Sequence, residues 1–241
     1  MHSPKLIDVK VDYCYEVSES FFKIGFTVGD FASRPGQFVN ILCNNVFLRR
    51  PFSIHSVYSE GIEILYKKVG PGTEFLSRLK NGDVVNILGP CGRGFSREEG
   101  NLIVVAGGIG IAPLFGLIEI LENPKILYGA KTKDELLCID RLKEYEPVIS
   151  TDDGSYGKKG NITDFLDDFI TESAYIYACG PRPMLEVVVR IAKERNVKGQ
   201  VSVEGMIGCG VGACLGCAYK TREGYKRICK DGPVFHIDEL L

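Results

Sequence analysis

Asn101-Leu102-Ile103-Val104-Val105-Ala106-Gly107-Gly108-Ile109-Gly110-Ile111-Ala112-Pro113 changes character twice in thirteen residues. After Asn101, Leu102 to Ala106 form a continuous apolar run, the pattern of a strand covered on both faces of a parallel sheet. Gly107, Gly108 and Gly110 follow, and an apolar helix is expected from there to about Leu121. A strand, a glycine turn and a helix in this order can seat a pyrophosphate at the helix N-terminus. Pro113 stands where a strict G-x-G-x-x-G would have its third glycine, and proline suits a first helical turn. The uncharged run Leu102 to Ile118 has the length of a short membrane span, but its four glycines and one proline divide it into strand, turn and helix.

Downstream, the same alternation continues. Lys125–Ala130, Glu146–Ser150 and Ala174–Cys179 read as strands, and 132–141 and 162–169 as helices. Gly180-Pro181-Arg182-Pro183-Met184 opens another helix, which ends near Asn196, and Gln200–Glu204 then leads into a cysteine-rich loop. The pattern predicts an α/β parallel sheet with right-handed crossovers. In the polar loop 151–157, Asp152 or Asp153 either caps a turn or accepts from a ribose hydroxyl, the cap being the simpler reading. Upstream, from Leu6 to Leu88, short β segments at 21–28, 37–42, 62–67 and 83–88 are separated by turns such as Arg34-Pro35-Gly36 and Lys80-Asn81-Gly82. That spacing predicts an antiparallel barrel or sandwich, with a short helix at 73–80.

Near the C-terminus, Cys209-Gly210-Val211-Gly212-Ala213-Cys214-Leu215-Gly216-Cys217 is followed, after a gap of eleven residues, by Cys229. C-x4-C-x2-C plus a distant cysteine is the spacing of a plant-type [2Fe–2S] site. Thiolates suit iron–sulfur clusters and zinc alike, but a zinc knuckle usually pairs two short hairpins, so the cluster is the better reading and zinc the alternative. Gly208, Gly210, Gly212 and Gly216 let the backbone wrap tightly and aim amide N–H groups at sulfur.

The totals narrow the field. A length of 241 residues allows two ordinary domains and a small appendage, and 45% apolar with 25% charged residues is a globular composition. A net charge of −2 without a basic run argues against a nucleic-acid protein. Nine cysteines make no even framework, and Met1–Lys5 lacks an apolar signal region, so a reducing cytoplasmic compartment is expected. His2, His55 and His236 are scattered, and no Ser/His/Asp constellation is present. Cys14, Cys43, Cys91 and Cys138 read as ordinary thiols.

Several short motifs, in order, resemble the ferredoxin reductase-like FAD/NAD-binding family. Arg50-Pro51-Phe52-Ser53 is similar to its R-x-[YFI]-[ST] flavin motif, Gly70-Pro71-Gly72-Thr73 to its second flavin element, and Gly89–Phe95 to the segment closing its barrel. The glycine turn before Pro113 resembles its G-G-x-G-x-[AT]-P turn, and Cys179-Gly180-Pro181 with Met184 its C-G-P-x-x-M motif. The resemblance implies that Arg50 pairs with the FAD pyrophosphate, that Ser53 stands by the isoalloxazine, and that the Pro51–Phe52 backbone lines the ring. Leu65, Tyr66, Lys67, Gly72 and Thr73 would also border FAD. Gly107, Gly108, Gly110, Pro113, Cys179, Gly180 and Pro181 would serve NAD(H). Lys131 and Lys133 leave NAD against NADP open, and the family favours NAD. The expected fold is multi-domain β + α/β: an FAD-binding barrel at 1–97, an NAD-binding domain at 98–200 and a [2Fe–2S] module at 201–241.

With Cys214-Leu215-Gly216-Cys217 and Cys229-Lys230-Asp231-Gly232-Pro233-Val234-Phe235 as closing signatures, the chain from Arg50 to Phe235 closely resembles the electron transfer subunits of type-B dihydroorotate dehydrogenases. That likeness implies a hetero-oligomer, two of each chain, with an FMN-containing dihydroorotate dehydrogenase catalytic subunit. Electrons would pass from that FMN through Cys209, Cys214, Cys217 and Cys229 to FAD and NAD+, with no catalytic acid or base in this chain. The rivals are a reductase subunit serving ferredoxin or hydrogenase, and a non-catalytic zinc-binding module.

Overall fold

The computed structural model describes residues 4–29, 31–44 and 46–241, so His2 lies outside the described residues. Seven strands form the N-terminal sheet: β1 (Lys5–Ser18), β2 (Phe21–Thr27), β3 (Phe38–Ile41), β4 (Arg50–Ser53), β5 (Ser56–Tyr58), β6 (Gly61–Lys67) and β7 (Val84–Cys91). Their order is β4-β3-β7-β1-β2-β6-β5, with antiparallel neighbours, which makes a half-barrel. Alternation along β3 divides its faces. Val39 and Ile41 enter the barrel core with Val9, Ile24, Ile64 and Ile87. Phe38 joins a different core, shared with the second sheet and with Cys217 and Cys229. A helix, α1 (Pro71–Ser77), begins two residues earlier than 73–80 predicts because Pro71 supplies its first turn.

The second sheet holds β8 (Asn101–Gly107), β9 (Lys125–Ala130), β10 (Val148–Thr151), β11 (Lys158–Lys159), β12 (Ala174–Cys179), β13 (Lys198–Ser202) and, from the chain's end, β16 (Val234–His236). The order is β11-β10-β9-β8-β12-β13-β16, all parallel except the last pair. The helices α2 (Ile111–Ile118) and α4 (Arg182–Glu194) cover it, and Leu102 to Ile118 resolves into strand, turn and helix. Among the described residues no helix is long and apolar enough to cross a membrane. Between β13 and β16 the chain leaves the sheet, makes the cysteine loop and the hairpin β14 (Ala218–Thr221) and β15 (Gly224–Arg227), and returns.

Two expected helices are not continuous. Residues 132–141 give a 3-10 turn at Lys133–Glu135 and a single turn, α3 (Ile139–Leu142). Leu136 is extended, Cys138 is left-handed at φ 59°, and the Leu137 amide donates to the Tyr128 hydroxyl instead of to a helical carbonyl. Residues 162–169 form two 3-10 turns, their amides bonding three residues back (Leu166 to Thr163, Phe169 to Leu166).

One histidine ties the two sheets. His55, fully buried just after β4, bonds through Nδ1 to the Ala112 carbonyl at 3.1 Å, while its own carbonyl accepts from the Gly116 amide at 3.0 Å. Its ring lies 4.7 Å from that of Phe115. Nε2 faces Glu63 at 3.6 Å and the Cys138 thiol at 3.7 Å. Glu63 in turn accepts from Lys23 at 2.9 Å and Tyr13 at 2.7 Å. Burial, aided by the Lys23 charge, brings His55 down to about 4 despite Glu63 and Ala112. From its ordinary value near 6.5 down to about 4, the unfolded chain binds a proton that the folded chain refuses, so stability falls with pH through that window. The loss is on the order of 3 kcal/mol. Urea unfolding of His55→Gln at pH 7 and pH 5 should therefore show a shallower pH dependence than wild type; equal dependence would assign the acid sensitivity elsewhere.

Candidate electron-transfer site

Two turns, Gly107–Gly110 and Cys179–Pro181, meet at the C-terminal ends of β8 and β12. A Cβ on Gly110 would lie 2.3 Å from the Cys179 carbonyl, and one on Gly107 would lie 2.6 Å from Met184 Sδ and 2.7 Å from Pro181 Cδ. Gly180 is equally constrained, since its Cβ would meet Met184 Cε at 2.6 Å. Gly107, Gly110 and Gly180 thus let two turns pack backbone to backbone, while Gly108, at φ 51°, faces open space. Pro113 sits in the first turn of α2. Cys179 is buried, and desolvation together with the Glu204 carboxylate pushes its thiol well up. Glu204 has an exposed surface but stands crowded enough for desolvation to raise its carboxyl. The sequence alone gives Glu204 no role, because only the fold sets it against Cys179. Asp153 is a local cap: it accepts from the Ser155 amide at 2.9 Å and hydroxyl at 2.7 Å.

The barrel brings Arg50 and the 70–73 turn together. A Cβ on Gly72 would stand 2.9 Å from Arg50 Cγ, so a side chain there would push Arg50 aside. The guanidinium is partly exposed and donates to the Leu48 carbonyl at 2.7 Å, leaving other donors of its fork for a ligand. Thr73 turns inward: its hydroxyl accepts from the Val69 and Gly70 amides and donates to the Gly70 carbonyl, closing the start of α1. Pro51, Phe52 and Ser53 are half-buried along β4. Phe52 meets Tyr66 edge-on at 5.6 Å. Leu65 packs toward the second sheet, Tyr66 is buried in the barrel, and Lys67 bonds Glu135 at 2.8 Å. These three side chains are engaged by protein, so any ligand beside them would be met by backbone.

The four cysteines converge on one loop. Cys217 and Cys229 have sulfurs 3.3 Å apart and are buried. Cys209 Sγ accepts from the amides of Val211 at 3.5 Å, Ala213 at 3.3 Å and Cys214 at 3.5 Å, and Cys229 Sγ accepts from the Gly212 amide at 3.1 Å. Desolvation would raise the Cys209 thiol, but those amides outweigh it and bring it down to about 6. Burial and the Cys217 sulfur push Cys229 the other way. Gly210 at φ 76° and Gly212 at φ 80° supply the left-handed turns, but Leu215 at φ 60° supplies the third, while Gly208 and Gly216 instead make room for Cys214 Sγ. Arg227, held by Asp231, donates to the Gly212 carbonyl at 3.3 Å and braces the loop. All nine cysteines are free. Among the described residues no three ligating groups converge as a site for one metal ion. Paired sulfurs with amides aimed at them suit two irons better than one zinc.

A half-barrel followed by a parallel sheet, with glycine turns at its strand ends and a four-cysteine loop, defines a ferredoxin-reductase-like oxidoreductase that carries an iron–sulfur module. Residues 104–190 match the oxidoreductase NAD-binding domain, and residues 204–241 match the iron-sulfur cluster binding domain of dihydroorotate dehydrogenase B. The dihydroorotate dehydrogenase B (NAD(+)) electron transfer subunit of Clostridium acetobutylicum is 40% identical over 240 residues, 96% of each chain. Its counterpart in Caldanaerobacter subterraneus subsp. tengcongensis is 42% identical over 214 residues, 86% of this chain and 87% of the relative. The solved NADH-dependent reduced ferredoxin-NADP oxidoreductase superposes with a TM-score of 0.86 at 30% identity, covering 97% of this chain and 89% of that one. Phthalate dioxygenase reductase shares the fold at a TM-score of 0.65 and 18% identity. The chain belongs to the family of dihydroorotate dehydrogenase B (NAD(+)) electron transfer subunits.

Gly110→Ala should separate the turns, because its Cβ meets backbone. NADH-dependent reduction of an artificial acceptor should fall roughly 10- to 100-fold, with iron content unchanged. Unchanged NADH-dependent reduction in Gly110→Ala would contradict the packing role given to Gly110.

Proposed function

We propose that this chain carries FAD, a [2Fe–2S] cluster and NAD(H), and passes electrons from the FMN of a dihydroorotate dehydrogenase catalytic subunit to NAD+ in pyrimidine (UMP) biosynthesis. The observation that carries the reading is the position of β4. Two residues beyond its end, His55 is bonded to the helix that follows the nicotinamide turn. On its other side, Pro51 is paired with Asn40, which touches Gly210 of the cysteine loop. Nicotinamide exchanges electron pairs as hydride, a cluster exchanges single electrons and a flavin does both, so a flavin belongs between them. A strand held between both turns is where it would lie.

In this reading Arg50 binds the FAD pyrophosphate, whose fork-like geometry suits a guanidinium, and Gly72 and Thr73 shape the turn beside it. Pro51, Phe52 and Ser53 border the flavin ring, with the backbone of Leu65, Tyr66 and Lys67 behind. Gly107, Gly108, Gly110 and Pro113 take the NAD pyrophosphate, and Cys179, Gly180 and Pro181 border the nicotinamide. Cys209, Cys214, Cys217 and Cys229 hold the cluster. The units are residues 1–97, 98–200 and 201–241. The protein is cytoplasmic and works as two of each chain with its FMN-bearing partner.

The partner's flavin must approach the cluster, and the cysteine loop exposes apolar side chains for that contact: Val211 is 45% and Leu215 62% exposed. The first test is anaerobic NAD+ reduction by dihydroorotate with both subunits together and each alone, beside metal and flavin analysis. Reduction by the pair alone supports the proposal. NADH oxidation by this chain with a silent pair would leave the cofactors standing and reassign the partner to a ferredoxin or hydrogenase type, whereas zinc without flavin would replace the whole reading. Leu215→Ala should weaken subunit association roughly tenfold. Unchanged affinity of the mutant would move the interface elsewhere.

A further inference from the structure

Asn40 is the one wholly polar side chain on β3, fully buried at 0% exposure. It shares a face with Phe38, opposite to Val39 and Ile41, and so looks away from the barrel core toward the cysteine module. Its Nδ2 donates to the Cys91 thiol at 3.5 Å, and its Oδ1 has no donor. Gly210 lies so close that a Cβ there would be 2.1 Å from Nδ2. Gly210 directly follows Cys209 and begins the left-handed turn that aims three amides at Cys209 Sγ. On the other side, Asn40 is strand-paired with Pro51 of β4.

A buried amide with an unmet oxygen costs roughly 1–3 kcal/mol, and a leucine of similar shape would avoid that cost. Such a group calls for an explanation beyond packing. Here it presents the positive, N–H end of its dipole to the loop that gathers the thiolates. We infer that Asn40 is a positioning residue for electron transfer: its amide fixes the cysteine loop against the flavin-bearing strand and, through its N–H dipole, favours the reduced, more negative state of the cluster. Hydrogen bonding and local dipoles at cluster sulfurs are an established control on potential. Cys91 supplies the weak acceptor that holds the amide in this orientation, its own thiol donating to the Leu88 carbonyl at 3.5 Å.

The inference rests on the cluster assignment above, and the experiment separates the two. The reductive titration of the cluster in the assembled complex is followed by electron paramagnetic resonance for wild type, Asn40→Leu and the isosteric Asn40→Asp. Iron, sulfide and FAD content, and NADH oxidation by ferricyanide, are measured in parallel. A wild-type protein without an iron–sulfur signal would fail the cluster assignment itself. With the signal present, Asn40→Leu should retain cofactors and ferricyanide activity. Its ratio of reduced to oxidised cluster at a fixed potential should fall about tenfold, a negative shift of about 59 mV for one electron. Asn40→Asp, which brings a negative charge, should shift at least as far in the same direction. Full cofactor content with an unchanged potential in both variants would overturn the inference. So would loss of the cluster from both with FAD retained, which would make Asn40 only a scaffold of the loop.

Discussion

The pairing of β3 with β4 sets the register on which the contacts to both neighbouring turns depend. Four residue pairs, Phe38 with Ser53 through Ile41 with Arg50, fix the short strand whose ends must serve two different neighbours. In a sheet, a slip of one residue would turn every side chain to the opposite face. It would turn Asn40 into the barrel core and carry His55 off the Ala112 carbonyl. The strong apolar preference of Val39 and Ile41 for the barrel interior is what forbids that slip. The geometry of the site therefore depends on a hydrophobic pattern that has no chemistry of its own.

Close approach is achieved in the same way at both turns. A missing side chain makes the room, at Gly110 for the Cys179 backbone and at Gly72 for the Arg50 side chain. At the cysteine loop, amides take the place that lysines or arginines would hold in an ordinary anion site. Fixed backbone dipoles need no reorganisation when charge arrives, which suits a centre that gains and loses an electron repeatedly.

Much of this was legible in the sequence, for stated reasons. The apolar run at 102–106 and the cysteine spacing at 209–229 are local patterns, and the structure puts a central strand and closely gathered cysteines there. The helix expected at 132–141 failed because a tertiary bond, Leu137 to the Tyr128 hydroxyl, outbid the local helical pattern. Residues 162–169 tighten instead into two 3-10 turns, the first closed by Asp164, whose carboxylate accepts from the Asn161 amide. His55 and Asn40 could not have been singled out, because His55 acts on a carbonyl 57 residues away and Asn40 on a glycine in a different part of the fold. A lone histidine and a lone asparagine in β-rich sequence carry no periodic signal.

The return of β16 to the second sheet has a consequence for how such a protein tolerates change. Because β13 and β16 are antiparallel neighbours, the cysteine-bearing excursion leaves and re-enters the sheet at adjacent points. Closing a longer or shorter excursion between fixed ends changes chain entropy only logarithmically. The metal module can therefore be enlarged, trimmed or exchanged with little strain on the nicotinamide half. The returning strand also covers the outer backbone groups of β13, which would otherwise offer an open edge for pairing between molecules.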